Sequence, residues 1–282
     1  WDFKPDCGLW NMMALFPLDG TTVFMDQCGG VYRLGLHNGT VIWRQPGPDS
    51  YTDGGPIMGP DGSIYTCSSP PGTHGLQGET GLLSKFALHD GARLWQVETP
   101  YPCVNFPGVS RDGATVVVAP GGLAGPPKTG DAMGRSEREV RAAYRLEEEL
   151  GQQQRTHYNL PNISAAIMGF RASDGAVLWR HEVPPWGKIA FAGDEERAFN
   201  HALGRTWLGF CWPSHWSGPV IGDDGTVYIG RSTGEFYVFH PERGETAFHH
   251  GDGVLMGGPA FAPDLMAFSS CSRLHVFRKP AA

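Results

Sequence analysis

Two short sequence units alternate along this chain of 282 residues. The first unit is an Asp-Gly turn followed by β-branched residues, and the second is an apolar run, a polar turn containing Gly, and a later aromatic residue. The Asp-Gly turns are Asp19-Gly20, Asp61-Gly62, Asp112-Gly113 and Asp224-Gly225, and Asp264-Leu265 is a degenerate fifth copy. The second unit spans Leu34 to Trp43, Phe86 to Trp95, Phe170 to Trp179 and Phe239 to Phe248.

The spacing of these units predicts the architecture. Asp-Gly between apolar runs is a strong hairpin signal, because Gly adopts the positive φ that tight turns require. The pair of units recurs about every 42 residues, which is enough for four short antiparallel strands. The repeat therefore predicts an all-β fold, a β-propeller of about five four-stranded blades. We expect one domain over 1–282, with insertions at about 68–81, 123–162 and 184–216.

The two ends of the chain fit the same repeat. Trp1 lies as many residues before Gly20 as Trp43 lies before Gly62. The last copy of the repeat stops at Leu274 to Arg278, before its own aromatic residue. We therefore expect the N-terminal strand to complete the fifth blade and close the ring, which would remove its open sheet edges. If residues upstream of Trp1 have been lost, the blade number is higher.

Composition excludes some classes of protein. The net charge is −7 and no Lys/Arg block is present, which argues against nucleic-acid binding. No stretch approaches the roughly 20 apolar residues of a transmembrane helix. The chain begins with Trp1, as it would after removal of a targeting segment or in a trimmed sequence.

Six cysteines are spread singly, without a Cys-x-x-Cys pair, which disfavours zinc and thioredoxin-like chemistry. Disulfides and buried free thiols both remain open. The disulfide alternative predicts a secreted, periplasmic or organelle-lumenal protein.

The repeat resembles the PQQ-like repeat of quinoprotein-type β-propellers, most clearly at Gly218 to Phe239 and Ala172 to Trp179. The resemblance implies that aromatic residues dock each outer strand against the neighbouring blade. These residues are Trp1, Trp43, Trp95, Trp179 and Phe248. The family's dehydrogenases bind pyrroloquinoline quinone and calcium beside two adjacent cysteines, which this chain lacks. We therefore expect no cofactor, no metal and no catalytic residues, as in the family's non-catalytic scaffold or ligand-sensing members.

Two insertions carry candidate docking residues. The capping box from Ser136 to Glu139 predicts a helix over about 136–153, which would be either a solvated arm or a partner-docking element. The apolar positions of that helix are Val140, Ala143, Leu146 and Leu150. The later insertion contains Trp207, Trp212 and Trp216, which would either cap the core or form an aromatic platform for a partner or a sugar.

No enzyme motif accompanies the repeat. His249 and His250 are adjacent on a predicted strand and point to opposite faces, which disfavours a shared metal. The sequence therefore predicts a non-enzymatic scaffold with protein partners, an accessory subunit of an assembly on the lumenal or extracytoplasmic side that reaches a membrane only through a partner. The alternative is a carbohydrate-binding or carbohydrate-active propeller that uses its central mouth. A quinone-dependent dehydrogenase ranks last.

Overall fold

The structure is a computed structural model. It describes residues 1–9, 13–47, 50–70, 80–121, 163–186, 192–194, 196–197, 200, 205–206, 216–249, 253, 255, 257–270 and 273–278. The predicted helix at 136–153 and the whole of the predicted insertion 123–162 lie outside these ranges. Most of the other two predicted insertions lies outside them as well.

The described chain forms five antiparallel sheets. Sheet 1 contains β1 (Thr21–Met25), β2 (Val31–Gly35) and β3 (Val41–Gln45). Sheet 2 contains β4 (Ile57–Met58), β5 (Ile64–Ser68), β6 (Gly81–Phe86) and β7 (Arg93–Thr99). Sheet 3 contains β8 (Gly108–Val109), β9 (Thr115–Val118), β10 (Ile163–Arg171) and β11 (Val177–Trp186). Sheet 4 contains β12 (Val220–Ile221), β13 (Val227–Gly230), β14 (Glu235–His240) and β15 (Gly244–His249). Sheet 5 contains β16 (Ala260–Ala262), β17 (Leu265–Ser269) and β18 (Leu274–Arg278).

Each sheet is a meander whose strands follow chain order, so the predicted all-β class is confirmed. Sheets 2, 3 and 4 have four strands, whereas sheets 1 and 5 have three. In sheet 1 a bridge between Leu15 and Val23 stands where the other sheets have a short first strand. Within the described ranges, no β pairing joins residues 1–9 to β18, so the structure does not show the predicted closure.

The Asp-Gly turns form the hairpins because of their backbone and side-chain chemistry. Gly62 has a φ of 77°, a conformation that strains residues with a Cβ atom. The Asp61 carboxylate accepts a 3.0 Å hydrogen bond from the Ser63 amide, which fixes the turn. In the degenerate fifth copy, Asp264 itself adopts the positive φ of 60°. The turn chemistry therefore sets the strand register in every sheet.

The core lies between successive sheets. Val116 and Val118 pack against sheet 2, whereas Val117, the residue between them, packs against sheet 4. All three valines are buried, because sheet 3 is covered on both sides. Between sheets 4 and 5 the rings of Phe236 and Phe268 stack with centroids 4.1 Å apart. The sheets are therefore layered in sequence order.

The connections divide between two ends of the sheets. One end, which we name the turn face, carries short connections such as 59–63, 87–92, 110–114 and 172–176. The opposite end, the long-loop face, carries connections 46–56, 69–80, 119–162 and 187–219. Contacts between sheets align these ends, since the Asp53 amide donates to the Val104 carbonyl at 3.2 Å on the long-loop face. The described strands that flank each of the three predicted insertions have their connected ends on that face.

Candidate functional site

A pair of donors fastens sheet 1 to sheet 2 on the turn face. The indole Nε1 of Trp43 donates to the Leu88 carbonyl at 2.7 Å, and Nη1 of Arg33 donates to the same oxygen at 2.9 Å. Nη2 of Arg33 also contacts the Asp19 carboxylate at 2.6 Å. The Trp43 ring lies against Gly91, where no Cβ would fit. We call this arrangement of an indole, a cation and one carbonyl a latch.

The same latch joins sheet 2 to sheet 3. The Trp95 indole and the Lys85 ammonium donate to the Ala172 carbonyl at 3.1 and 3.0 Å. Lys85 is buried and also contacts Asp61 at 2.9 Å. Burial alone would raise the pKa of Asp61, but hydrogen bonds from Lys85 and Ser63 outweigh it and lower that pKa. The carboxylate is therefore ionised where it meets the cation.

Trp1 makes the indole half of this contact on sheet 1. Its Nε1 donates to the Leu36 carbonyl at 3.0 Å, and its ring lies against Gly39. Leu36 and Gly39 hold the repeat positions that Leu88 and Gly91 hold in sheet 2. Trp1 thus occupies the place of an outer-strand Trp from a preceding sheet.

Among the described residues, no latch joins sheets 3 and 4. Gly169 pairs with Trp179 in the same way that Arg33 pairs with Trp43, so this strand position carries no cationic side chain. The Trp179 ring lies over Gly169 and contacts Phe239 at a centroid distance of 5.2 Å. In the part of the chain that the structure describes, nothing accepts a hydrogen bond from the Trp179 indole. Nothing lies within 4 Å of a Cβ placed on Gly244, the counterpart of Gly91.

A cleft of about 520 Å³ opens at this interface. Trp179 and Pro241 form part of its wall, and Asp112 lies beside them. Arg111 and Asp223 pair across the cleft at 2.9 Å, and both are exposed. The cleft therefore combines an aromatic ring, a carbonyl-bearing turn and charged side chains.

Asp112 lacks the cation that its counterparts have. Its Oδ1 accepts hydrogen bonds from the Ser110 hydroxyl at 2.6 Å and the Ala114 amide at 3.0 Å. These bonds lower the pKa of Asp112, the Ser110 hydroxyl most of all, so the group is ionised near neutral pH. Among the described side chains, no Lys or Arg pairs with it.

Within the described ranges, two disulfides stabilise the long-loop face. Cys7 bonds to Cys28, with Cα atoms 5.8 Å apart, and Cys67 bonds to Cys103, with Cα atoms 5.3 Å apart. The second bridge links the end of β5 to the connection that enters sheet 3. Disulfides, left open by the sequence, are thus present.

A buried carboxylate holds the N-terminal segment beside the first disulfide. Asp26 accepts hydrogen bonds from the Tyr32 hydroxyl and the Gly30 amide, both at 2.7 Å, and from the Cys7 amide at 3.2 Å. Burial and the bond to Asp26 raise the pKa of Tyr32, which therefore remains a donor. The network connects residues 6–7 to sheet 1.

A second buried polar group lies on the long-loop face of sheet 4. The Arg231 guanidinium is 1% exposed, donates to the Pro184 carbonyl at 2.7 Å and lies 5.1 Å from the Trp216 ring. Burial lowers the pKa of Arg231, although Tyr237 and Glu235 oppose this shift. Among the residues that the structure describes, its Nε and Nη2 atoms have no hydrogen-bond partner. This arginine ties sheet 4 to the end of β11.

The structure places only some of the predicted site residues. Trp216 is 3% exposed and packs against Tyr237, with centroids 5.5 Å apart. The backbone of Phe248 pairs with Phe236, and its side chain is outside the described part. The following candidates also lie outside the described residues: Val140, Ala143, Leu146, Leu150, Trp207 and Trp212.

Sequence reasoning missed the cation of the latch. Arg33 and Lys85 precede Trp43 and Trp95 at one constant offset, and Gly169 stands at that offset before Trp179. This recurrence was the available signal. Over the described ranges, no group of three or more His, Cys, Asp or Glu side chains is arranged to hold a metal. Nor does any helix in those ranges have the length and apolar character needed to span a membrane.

Comparison with known proteins gives the fold. No protein-family model matches the sequence, and no curated protein matches it. Three similar solved structures are BamB from Moraxella catarrhalis, the β-propeller domain of Myceliophteria thermophila Cps50 (Swd1), and the computationally designed protein Ika8. Their sequence identities to this chain are 14%, 10% and 8%, and the TM-scores are 0.52, 0.50 and 0.50.

The matches cover nearly all of this chain but only part of the others. They span 95%, 95% and 94% of this chain, and 59%, 68% and 57% of the BamB, Cps50 and Ika8 chains. The chain thus spans less than two thirds of BamB and of Ika8. At such identities the likeness concerns the fold alone, and the fold is that of a β-propeller.

Proposed function

We propose that this protein is a non-enzymatic propeller scaffold that binds protein partners through its long-loop face, as an accessory subunit of a larger assembly. The observation that carries the proposal is the distribution of the connections. Every long connection between the described strands belongs to one face, whereas the described connections of the turn face are all tight turns. Surface loops on a rigid framework are where binding residues concentrate.

The long connections begin and end on a fixed framework. The Gly121 amide donates to the Pro102 carbonyl at 2.8 Å, and Gly121 forms a β-bridge with Ala165. The two ends of connection 119–162 are therefore neighbours. A short linker can replace 123–162 without separating β9 from β10.

The proposed docking residues are those of the predicted helix together with Trp207 and Trp212. Trp216 is buried, so it supports the framework instead of the contact surface. No observation among the described residues supports the alternative function, a carbohydrate-binding or carbohydrate-active propeller that uses its central mouth.

The test is quantitative copurification of the tagged full chain from its native source, with and without 123–162 replaced by a Gly-Ser linker. We expect at least one stoichiometric partner to be lost from the variant. The matched control is Asp174→Ser on the turn face, which should retain it. Retention of every partner by the linker variant, and also by a variant in which 71–79 is replaced, would overturn the proposal.

We further propose that the protein works in an oxidising compartment, whether secreted, periplasmic or organelle-lumenal. Two disulfides support this, since such bonds persist mainly outside reducing compartments. We propose that the repeat is of the PQQ-like type. We also propose that the protein associates with a membrane only through its partner. When free thiols are alkylated in intact cells, the four disulfide-bonded cysteines should escape alkylation. Alkylation at these positions would contradict the assignment.

We also propose that the ring closes by pairing of the N-terminal strand with β18. The contact of Trp1 with Leu36 supports this, because it matches the contacts of Trp43 and Trp95 with their next sheets. Sheet 5 has an outer-strand position beyond β18. Hydrogen exchange should then slow at β18 amides, and deletion of residues 1–3 should restore fast exchange. Equal exchange in both proteins would reject closure by this strand.

A further inference from the structure

We infer that the cleft between sheets 3 and 4 binds a guanidinium or alkylammonium group, either on an arginine or lysine side chain of a partner or as a small organic cation. The cleft is on the turn face, so this inference does not depend on the proposed role of the long-loop face. It follows from comparing one open interface with two closed ones.

The closed interfaces show which group fills this position. Between sheets 2 and 3, the Lys85 ammonium lies among the Asp61 carboxylate, the Ala172 carbonyl and the Tyr65 ring, whose centroid is 5.2 Å away. Arg33 bridges Asp19 and the Leu88 carbonyl in the same way. The position thus accepts either kind of cation found in side chains.

The open interface keeps the acceptors and lacks the cation. Asp112 holds the repeat position of Asp19 and Asp61, and Pro241 holds that of Leu88 and Ala172. Gly169 replaces the cationic residue. No side chain in the described ranges donates to the Pro241 carbonyl, and none with a positive charge reaches Asp112. A cation from outside the chain can therefore restore the missing contacts.

The charge of the cleft favours the same ligand. Arg111 compensates Asp223 at 2.9 Å, which leaves Asp112 as an uncompensated carboxylate in the cleft. Trp179 contributes an aromatic ring, and cations bind favourably over the face of Trp, Tyr and Phe. Anions would meet Asp112 and be repelled, and a neutral amide would gain no ion pair.

The volume also suits this ligand class. The cleft measures about 520 Å³, within the usual range of small-molecule sites, and it opens to solvent at the exposed Arg111 and Asp223 pair. An extended aliphatic chain can lie along Ile221 and Trp179, both of which line the cleft, while its charged end reaches Asp112.

The test uses NMR on the full chain. The Trp179 indole N–H resonance, assigned with Trp179→Phe, is followed during titration with Ac-Gly-Arg-Gly-NH2, with Ac-Gly-Lys-Gly-NH2 and with arginine amide. We expect saturable shifts of this resonance, while the indoles of Trp43 and Trp95, which donate to carbonyls, stay unchanged. Ac-Gly-Gln-Gly-NH2 is the neutral probe and should produce no shift.

Two variants complete the test. Asp112→Asn keeps an oxygen acceptor for Ser110 and Ala114, and we expect it to weaken binding at least tenfold. Asp19→Asn makes the same change at a closed interface and should leave the affinity unchanged. The inference is overturned if no cation shifts the Trp179 resonance, if the glutamine peptide shifts it equally, or if the two variants behave alike.

The same titration separates the two sources of the cation. At least tenfold tighter binding of a tripeptide than of arginine amide supports a side chain presented by a polypeptide. Equal affinities support recognition of a free organic cation. In both cases Asp112→Asn must weaken the binding at least tenfold.

Discussion

The ammonium of Lys85 donates to the carbonyl of Ala172 across 3.0 Å, although 87 positions separate the two residues in the chain. This bond crosses from sheet 2 to sheet 3, and the Trp95 indole donates to the same oxygen. On the turn face, one carbonyl that accepts hydrogen bonds from two donors thus joins sheet 2 to sheet 3.

Removal of the cation should destabilise the fold. In Lys85→Met the Ala172 carbonyl loses one donor and Asp61 loses its cationic partner, while the aliphatic part of the side chain remains. We expect the free energy of unfolding to fall by about 2 kcal/mol, as for buried hydrogen bonds to charged groups. Denaturant titration measures it. Arg111→Met, at an exposed ion pair, is the control and should cost less than about 0.5 kcal/mol; equal losses would contradict the latch.

The indole donors can be compared directly. Trp95→Phe keeps an aromatic ring but removes the donor to Ala172, so we expect a loss of about 1 kcal/mol beyond that of Trp179→Phe. Trp179 makes no such bond within the described part of the chain. Urea midpoints of the two variants provide the measurement. A loss for Trp179→Phe that equals or exceeds that of Trp95→Phe would show that ring packing, not the indole bond, matters.

Acid should weaken the turn face. The pKa values of Asp19 and Asp224 are lowered, chiefly by the hydroxyls of Thr21 and Thr226, and that of Asp61 is lowered as described. A carboxyl whose folded pKa lies below the unfolded value of about 3.9 stabilises the fold above that pH and loses this contribution as pH falls further. We expect the free energy of unfolding to decline below about pH 4.

Asp61→Asn is the matched variant for this pH dependence. It is less stable than the wild type at pH 7, and the difference should narrow toward pH 2, because the wild-type carboxylate is then being protonated. Because Asp61 is partly exposed, the effect should not exceed about 1 kcal/mol. A constant difference between the two proteins over this range would contradict the linkage.

The two disulfides should differ in accessibility. Cys67 and Cys103 are at most 1% exposed, whereas Cys7 and Cys28 are partly exposed. A mild reductant should therefore open the first bridge in the native protein before the second, as followed by thiol alkylation and mass spectrometry. Both should open together in denaturant. Removal of the buried bridge, whose cysteines are 36 positions apart, should cost about 4 kcal/mol through the loop it closes.

The sequence predicts the strands well where local chemistry determines them. The Asp-Gly turns and the period locate the five sheets, including the one after the degenerate turn at Asp264. Most strand pairs within a sheet are close in sequence, so turn residues and alternation are sufficient to find them; β9 and β10, which the connection 119–162 separates, are the exception. The outer strand of the fifth blade depended on a contact between chain ends, and no local pattern encodes such a contact.

The site was less predictable because its partners are distant in sequence. Nothing near Lys85 identifies the Ala172 carbonyl as its acceptor, and the pairing of Cys67 with Cys103 is one of many that the six cysteines allow. In the sequence alone, Gly169 looks like an ordinary small residue in a strand. Only its alignment with Arg33 and Lys85 shows that a charge is missing.

Each latch also has a direction along the chain. Trp43 and Arg33 precede their acceptor Leu88 in the sequence, and Trp95 and Lys85 precede their acceptor Ala172. Every latch donor is therefore synthesised before its acceptor. On the ribosome, a newly made sheet is therefore secured only when the following one emerges. Counted from the N-terminus, the interface beside Gly169 is the first of these interfaces that forms without a latch among the described residues.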